Sequence, residues 1–364
     1  MVGNFLVARN SRCIFRGKVE PNQGIILELS SSQDVKESKM KKTKVLLVVI
    51  LSLVLSACGG QKSQGDKEEF TIGVVQIIEH EALDNARLGF EDQIKELGIN
   101  AKIEYKNAQG EIATARTIVE KFISDEVDLI YAIATPAAEA AASSTDRIPI
   151  VFSAVTDAEK AGLVESNEKP GANVTGTSDA VNIEEQLALF KEIDPSIKKI
   201  GVLFSADEQN SFSQIEEMKK VAGKLNLEVE DMSIQNISDL PIAAESLAKK
   251  VDGFYVLTDN KIASSISLLT DVAKAHKLPT VCVEEAHVNG GGLISKGISY
   301  YKLGQQTADL AQNILVEGKD PGQVPVERSK EVEKIINKDT INALGLDPTL
   351  KVFQGAKDIK SKGE

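Results

Sequence analysis

The chain has 364 residues, room for about two domains, and its 42% hydrophobic content allows a substantial core. A formal net charge of −12 excludes nucleic acid as the expected partner, because nucleic acid rewards basic patches. Trp is absent, and the three cysteines (Cys13, Cys58, Cys282) lie too far apart to suggest a disulfide framework or a zinc site; Cys282, in an apolar run, reads as a small buried hydrophobe.

Residues 1–39 hold scattered charges and no periodic pattern. Residues 40–60 read MKKTKVLLVVILSLVLSACGG. Lys41, Lys42 and Lys44 form a basic start, and Val45–Leu55 is an apolar core of secretory length, too short to span a bilayer comfortably. Leu55-Ser56-Ala57-Cys58 then resembles the bacterial lipoprotein box, which implies diacylation of Cys58 and cleavage just before it. The expected organisation is an upstream extension at 1–39, non-native or removed, a lipoprotein signal peptide at 40–57, and a polar tether at 58–69.

From Phe70 the pattern alternates between strand and helix. Thr71–Gln76 reads as a strand, and Leu83, Ala86, Phe90, Ile94 and Leu97 recur at helical spacing before Gly98. Ala101–Tyr105 is a strand, Ile112–Ile123 a helix and Val127–Ala134 a strand; Pro136 marks a helix start with Thr135 as its cap. Ile148–Phe152 is a fourth strand. The programme then restarts: Lys199–Ser205 repeats Ile-Gly-Val, a helix carries Ile215, Met218, Ala222 and Leu225, and Leu227–Met232 is a strand. Ser238–Lys250 is a helix, Val251–Thr258 a strand and Ile262–His276 a helix, where His276 suits the helix dipole. Leu278-Pro279-Thr280-Val281 then echoes Ile148-Pro149-Ile150-Val151.

Three matches in one order indicate duplicated architecture: two Rossmann-like lobes of α/β class, each a parallel sheet flanked by helices, joined by a multi-strand hinge. The expected lobes are 70–180 plus 290–322 and 181–289 plus 323–364. Crossings fall in Gly162–Ala180, at Asn289–Gly292 and near Pro321–Pro325, with Leu293–Ile298 and the helix Lys302–Val316 in the first lobe. Asn173-Val174-Thr175, a glycosylation triplet by pattern, reads as part of the first crossing. Ligands of such sheets bind beyond the strands' carboxyl ends. Gln76, Thr135, Ala154–Asp157, Thr258-Asp259-Asn260, Glu284-Glu285 and the residues after Ser205 all follow strands there, so one interlobe cleft is expected to gather them.

Six runs carry a family resemblance: IGVVQIIEHEALDNARLGF, IATPAAEAAASS, IPIVFSAVTDAEKAGLV, GANVTGTSD, VDGFYVLTDN and GISYYKLGQQTADLAQNIL. From about Phe70 to Glu327 the chain resembles the substrate-binding lipoproteins of ABC transporters, in the group associated with tryptophan and other aromatic amino acids. The resemblance implies the type I periplasmic-binding-protein fold. It also implies an extracytoplasmic, membrane-anchored monomer delivering a free amino acid to an ABC permease and its ATPase subunits. Where that family usually has a Gly-rich or acidic stretch, this chain has Val283-Glu284-Glu285-Ala286-His287.

For such a ligand, the carboxylate would meet the helix start Thr135-Pro136-Ala137, Thr156, or the start at Asn210-Ser211. The ammonium would meet Asp259 first, or Asp157, with Thr258, Asn260 and Glu284 beside it, and the side chain would lie near Gln76, Ile77, Glu79 and His80. Bland readings stand beside these: Thr135 as a plain cap, Asp259 as a turn residue in a solvated loop, and Glu79, His80 and Glu284 as surface charges. No cofactor is expected. His80, Glu284, Glu285 and His287 lack metal-ligand spacing, and Gly290–Gly292 lacks the Lys of a phosphate loop and reads as a hinge turn. No nucleophile-elbow or zinc-protease motif is present, so enzymatic activity is not expected. A ligand-sensing lipoprotein signalling to a membrane kinase, or a binder of a nucleoside or sugar, is the alternative.

Overall fold

Short apolar strands followed by amphipathic helices bury both strand faces only in a parallel sheet covered on each side. The computed structural model, which describes residues 69–359, contains two such sheets. The first lobe opens with β1 (Phe70–Gln76), α1 (Glu81–Glu96), β2 (Ala101–Asn107), α2 (Ile112–Ser124), β3 (Leu129–Ile133), α3 (Thr135–Ala142), β4 (Ile150–Val155) and β5 (Val174–Ser178). The second lobe holds β6 (Lys199–Ser205), β7 (Glu228–Ile234), β8 (Gly253–Val256), β9 (Thr280–Glu284) and β10 (Ile294–Ile298). Its helices are α4 (Ile183–Ile193), α5 (Gln209–Ala222), α6 (Leu240–Ala248), α7 (Asn260–Ser264), α8 (Ile266–Ala275) and α9 (Glu285–Asn289). The chain then revisits the first lobe with α10 (Tyr300–Leu315) and β11 (Glu327–Arg328), and ends in the second with β12 (Val332–Asn337), α11 (Lys338–Leu344) and β13 (Lys357–Ile359).

Strand order is β11-β5-β4-β3-β1-β2 in the first sheet and β13-β12-β10-β9-β8-β6-β7 in the second. All pairings are parallel except β10 with β12. The exception follows from the crossings. β10 runs into the hinge at Ile298; after Arg328 the chain re-enters from that same end, so β12 must run the other way.

Two lobe boundaries differ from the expectation. The strand Ile294–Ile298 lies in the second sheet, between β9 and β12, and the final return follows Arg328, not Pro321–Pro325. Gly290–Gly292 is therefore no hinge but the turn from α9 into β10. A Cβ on Gly292 would stand 2.5 Å from Cys282 Sγ, and Gly291 has φ +100, so this turn is packed and left-handed. Cys282 is buried in the core, as expected, and burial pushes its thiol pKa up. The upstream extension, the signal peptide, Cys58 and the tether before Glu69 lie outside the described residues.

One core fills the first lobe around Ile72, Val74, Phe90, Tyr131 and Phe152. The second lobe carries a cluster on each sheet face, one around Phe190 and Tyr255, the other around Phe254 and Leu247. α10 is tied to the first lobe by a close crossing with α1. A Cβ on Gly89 would fall 1.9 Å from the Tyr301 carbonyl oxygen, and one on Gly304 1.9 Å from that of Ala86. Gly89→Ala and Gly304→Ala are each expected to destabilise the protein by overpacking, on the order of 1–3 kcal/mol. Denaturant midpoints unchanged in both variants would mean that the helices do not cross there.

Candidate functional site

The carboxyl ends of the two sheets face each other, and polar contacts close the gap. Thr156, after β4, places Oγ1 2.9 Å from Thr258 Oγ1, after β8. His80, after β1, has Nε2 3.4 Å from Asn260 Oδ1, and Asn289 donates to Glu81 at 2.6 Å. Between the lobes lies a narrow space of about 10 Å³, room for about one water. Asp179, Tyr300, Ala154 and His80 wall it from one side, and Asn210, Thr258, Asp259, Asn260 and Glu284 from the other.

Asp179 immediately follows β5 and is buried. The Tyr300 hydroxyl, at the start of α10, donates to its Oδ2 at 2.8 Å, while Oδ1 has no partner. Burial pushes the Asp179 carboxyl up to about 6, against weaker lowering by Tyr300 and Thr156. Neither Lys nor Arg lines this space. A buried carboxylate oxygen without a donor is poised for a cationic or N–H-bearing group from a ligand.

The other wall is held by Asp259, whose role differs from the expectation. It is buried and takes four donors: Ser205 N at 2.6 Å, Ser205 Oγ at 2.7 Å, Ser211 Oγ at 2.7 Å and Ile262 N at 3.0 Å. It is the cap of α7 and the brace between β6, α5 and α7, so it is neither a turn residue in a solvated loop nor free to bind an ammonium. Ser211 is spent on the same brace. Behind it, Glu208 accepts from Asn260 N and Nδ2 and from Asn210 Nδ2. Burial, and then the Asp259 charge, push the Glu208 carboxyl well above the usual carboxylate range. Asn210 Nδ2 also holds the Thr258 carbonyl at 2.6 Å, leaving Asn210 Oδ1 buried without a partner.

Glu284 and His287 are both buried, so the surface-charge reading of Glu284 fails. His287 Nε2 stands 2.6 Å from Glu284 Oε1, close enough for an ion pair although not aligned as a hydrogen bond. Burial raises the Glu284 pKa, but its neighbours, His287 foremost, outweigh it and leave the group below its ordinary value. Burial lowers the His80 pKa more than Glu284 and Asn260 raise it, so its ring is neutral.

α3 begins without a side-chain cap. Its Ncap is Ala134, at φ 83, and Thr135 is the first helical residue with Oγ1 buried and unpartnered, so Thr135 is not the cap. Ala154 also has positive φ (56), at a bulge in β4 against β5. Two strained non-glycine residues at strand tips that face the cleft fit a pattern in which strain gathers at functional sites. Next to α3, a second narrow space of about 10 Å³ has apolar walls of Ile77, Ile78, Ile112 and Pro136 opposite Glu208 and Asn260. Ala137 packs into the core. Gln76 is buried, with Nε2 on Asp84 and Ile78 and Oε1 unpartnered.

Two candidates fall outside the enclosed space. Glu79 is exposed and accepts from the Tyr105 hydroxyl. Asp157 receives the Lys160 N–H at 3.0 Å and lines a wider lateral groove of about 440 Å³. That groove is parted from the enclosed space at the Thr156–Thr258 contact. Gln214 secures it, donating to Thr258 Oγ1 at 2.7 Å and accepting from Thr258 N at 3.2 Å. Either hydroxyl can be the donor across the Thr156–Thr258 contact. Thr156→Val is expected to weaken closure by roughly 0.5–1.5 kcal/mol, one hydrogen bond's worth. Small-angle scattering should then show a larger radius of gyration without ligand; identical curves for variant and parent would count against a latch here.

Asp179, Tyr300, Glu208 and His287 were not anticipated as site residues. The signal for Asp179 was present, since it is a polar tip directly after Val174–Ser178, but that segment reads as linker.

Comparison with known proteins adds an independent line. A model of the family described as ABC transporter substrate binding protein matches residues 71–360. A tyrosine-binding protein of Clostridioides difficile (strain R20291) is 42% identical over 344 residues, covering 88% of this chain and 99% of its own length. An ABC domain from Streptococcus pneumonia, solved in complex with L-Trp, is 33% identical with a TM-score of 0.76, covering 80% of this chain and 99% of its own. A ligand-free, open structure of a Clostridium difficile substrate binding protein with adhesive properties is 38% identical with a TM-score of 0.63, covering 80% of this chain and all of its own.

Proposed function

This chain belongs to the ABC transporter substrate-binding protein family, with the two-lobed type I periplasmic-binding fold, and from that premise we propose that it captures a free aromatic amino acid between its lobes. It works outside the cytoplasmic membrane, held there by lipid on Cys58, and passes the ligand to a permease driven by ATPase subunits. The family binds solutes and does not transform them.

The observation that carries the ligand reading is Asp179, a buried carboxylate with one unpaired oxygen facing a space shared by both lobes. An α-ammonium satisfies that oxygen. The apolar walls of Ile77, Ile78, Ile112 and Pro136 suit a ring, and Asn260 lines both spaces, so head group and ring would lie on either side of it once the lobes part to admit a ligand. The unpartnered Thr135 hydroxyl and the α3 terminus suit the carboxylate. A tyrosine-binding relative and an L-Trp complex agree with this choice. The chain also superposes better on the L-Trp-bound structure than on the open one, although the open one is closer in sequence.

A thermal-shift screen of the twenty amino acids, nucleosides and sugars tests the proposal. An aromatic amino acid at 100 times its dissociation constant should stabilise the protein by about 2.7 kcal/mol. A flat response to all amino acids, or a response to nucleosides or sugars alone, would overturn it.

A further inference from the structure

We propose that this cleft recognises its ligand chiefly by the amine and only weakly by the carboxylate, so that aromatic primary amines with no carboxylate are ligands of the same site. The inference rests on the amino-acid reading above and extends its substrate class.

The charges around the enclosed space are one-sided. Asp179, Asp259 and Glu284 line it, and no Lys or Arg does. Among these acids the assignments differ. Asp259 has four donors, Glu284 faces the His287 ring, and Asp179 keeps a buried oxygen with no hydrogen bond, although the Thr156 hydroxyl stands near enough to lower its pKa. The one cation at the adjoining space, Lys261, is already held by both carboxylate oxygens of Asp207 at 2.9 and 2.8 Å. His80 stays neutral through burial. Other unpaired buried atoms here are Asn210 Oδ1, an acceptor as placed, and His80 Nδ1, on a neutral ring that offers one N–H.

A ligand ammonium therefore finds an unpaired carboxylate. A ligand carboxylate finds three carboxyl groups and, as neutral donors, the N–H groups of α3, the Thr135 hydroxyl and the His80 ring. A helix terminus contributes a few-fold to about thirty-fold, whereas leaving a buried charge unpaired weakens binding by about a hundred-fold or more. Removing the ligand's carboxylate forfeits the smaller contribution and relieves repulsion. Removing its amine leaves Asp179 buried without a partner.

Calorimetric titration of the protein with L-tyrosine, tyramine and 3-(4-hydroxyphenyl)propionate at pH 7.5 separates the cases. Tyramine should bind within about thirty-fold of L-tyrosine, and the propionate at least about a hundred-fold more weakly. Asp179→Asn should abolish tyramine binding. If L-tyrosine binds and tyramine does not, or if the propionate matches L-tyrosine, the inference is overturned while the amino-acid reading survives. Tyramine binding with no response to L-tyrosine or L-tryptophan would sink the amino-acid reading and leave the inference standing. If none of these compounds binds, both are wrong.

Discussion

Replacing Asp179 with asparagine is expected to abolish ligand binding and, at the same time, to make the ligand-free protein more stable. Both effects have one cause. Burial lifts the Asp179 carboxyl from the ordinary 3.8 to about 6, with no cation lining its cavity to offset the lost hydration. The folded state thus favours the protonated form. That contribution is fully present below the unfolded carboxylate range and is lost as pH rises through about 6. At neutral pH the ionised carboxylate destabilises the fold by on the order of 3 kcal/mol. Asparagine removes the charge, and its carbonyl can still accept from the Tyr300 hydroxyl, so a net gain of roughly 1–3 kcal/mol is expected from denaturant unfolding at pH 7.5. The same change removes the ammonium's partner, and affinity should fall by about a hundred-fold or more. A variant that binds as well as the parent would place the ligand elsewhere. One that binds poorly and is also less stable would mean that Asp179 holds the lobes together.

Asp259 shows the opposite behaviour. Asp259→Ala leaves four donors around one buried position without an acceptor and uncaps α7. The expected destabilisation is about 3–5 kcal/mol, among the largest for a single substitution. Loss of its charge also removes one of the two influences that raise Glu208, whose pKa should fall. Asp259→Asn, which keeps an acceptor, should cost less. Affinity measured on the folded fraction should stay within about ten-fold of the parent, as expected for a brace whose oxygens are already taken by four donors. Full stability with binding abolished would instead restore Asp259 as the ammonium partner.

Much of the scaffold was legible because periodicity reports on burial. The repeated Ile-Gly-Val has a physical counterpart in each lobe. A Cβ on Gly73 would lie 2.7 Å from the Phe122 ring on α2, and one on Gly201 3.1 Å from Leu247 on α6, so each first strand needs glycine beneath the corresponding helix. The abrupt polar endings of apolar strands also pointed to the cleft, and Thr156, Asn210, Thr258, Asn260 and Glu284 border its spaces. β5 escaped notice since Val-Thr-Gly-Thr-Ser carries one large apolar residue, although all five are buried. With the strand unread, Asp179 looked like part of a crossing. Asp259 is legible as a polar tip, but its four donors are not. Ser205 and Ser211, which saturate it, stand 54 and 48 residues away, and convergence over such spans leaves no local trace.

The most direct measurement is the number of protons exchanged when L-tyrosine binds, read by calorimetry in buffers of different ionisation enthalpy. If an ammonium pairs with Asp179, binding fixes that carboxylate in its ionised form. About half a proton should be released near pH 6 and almost none from this group at pH 8, with affinity falling towards tenfold per unit below pH 6. Binding without proton release at pH 6, and with affinity flat from pH 5 to 8, would contradict an ammonium on Asp179.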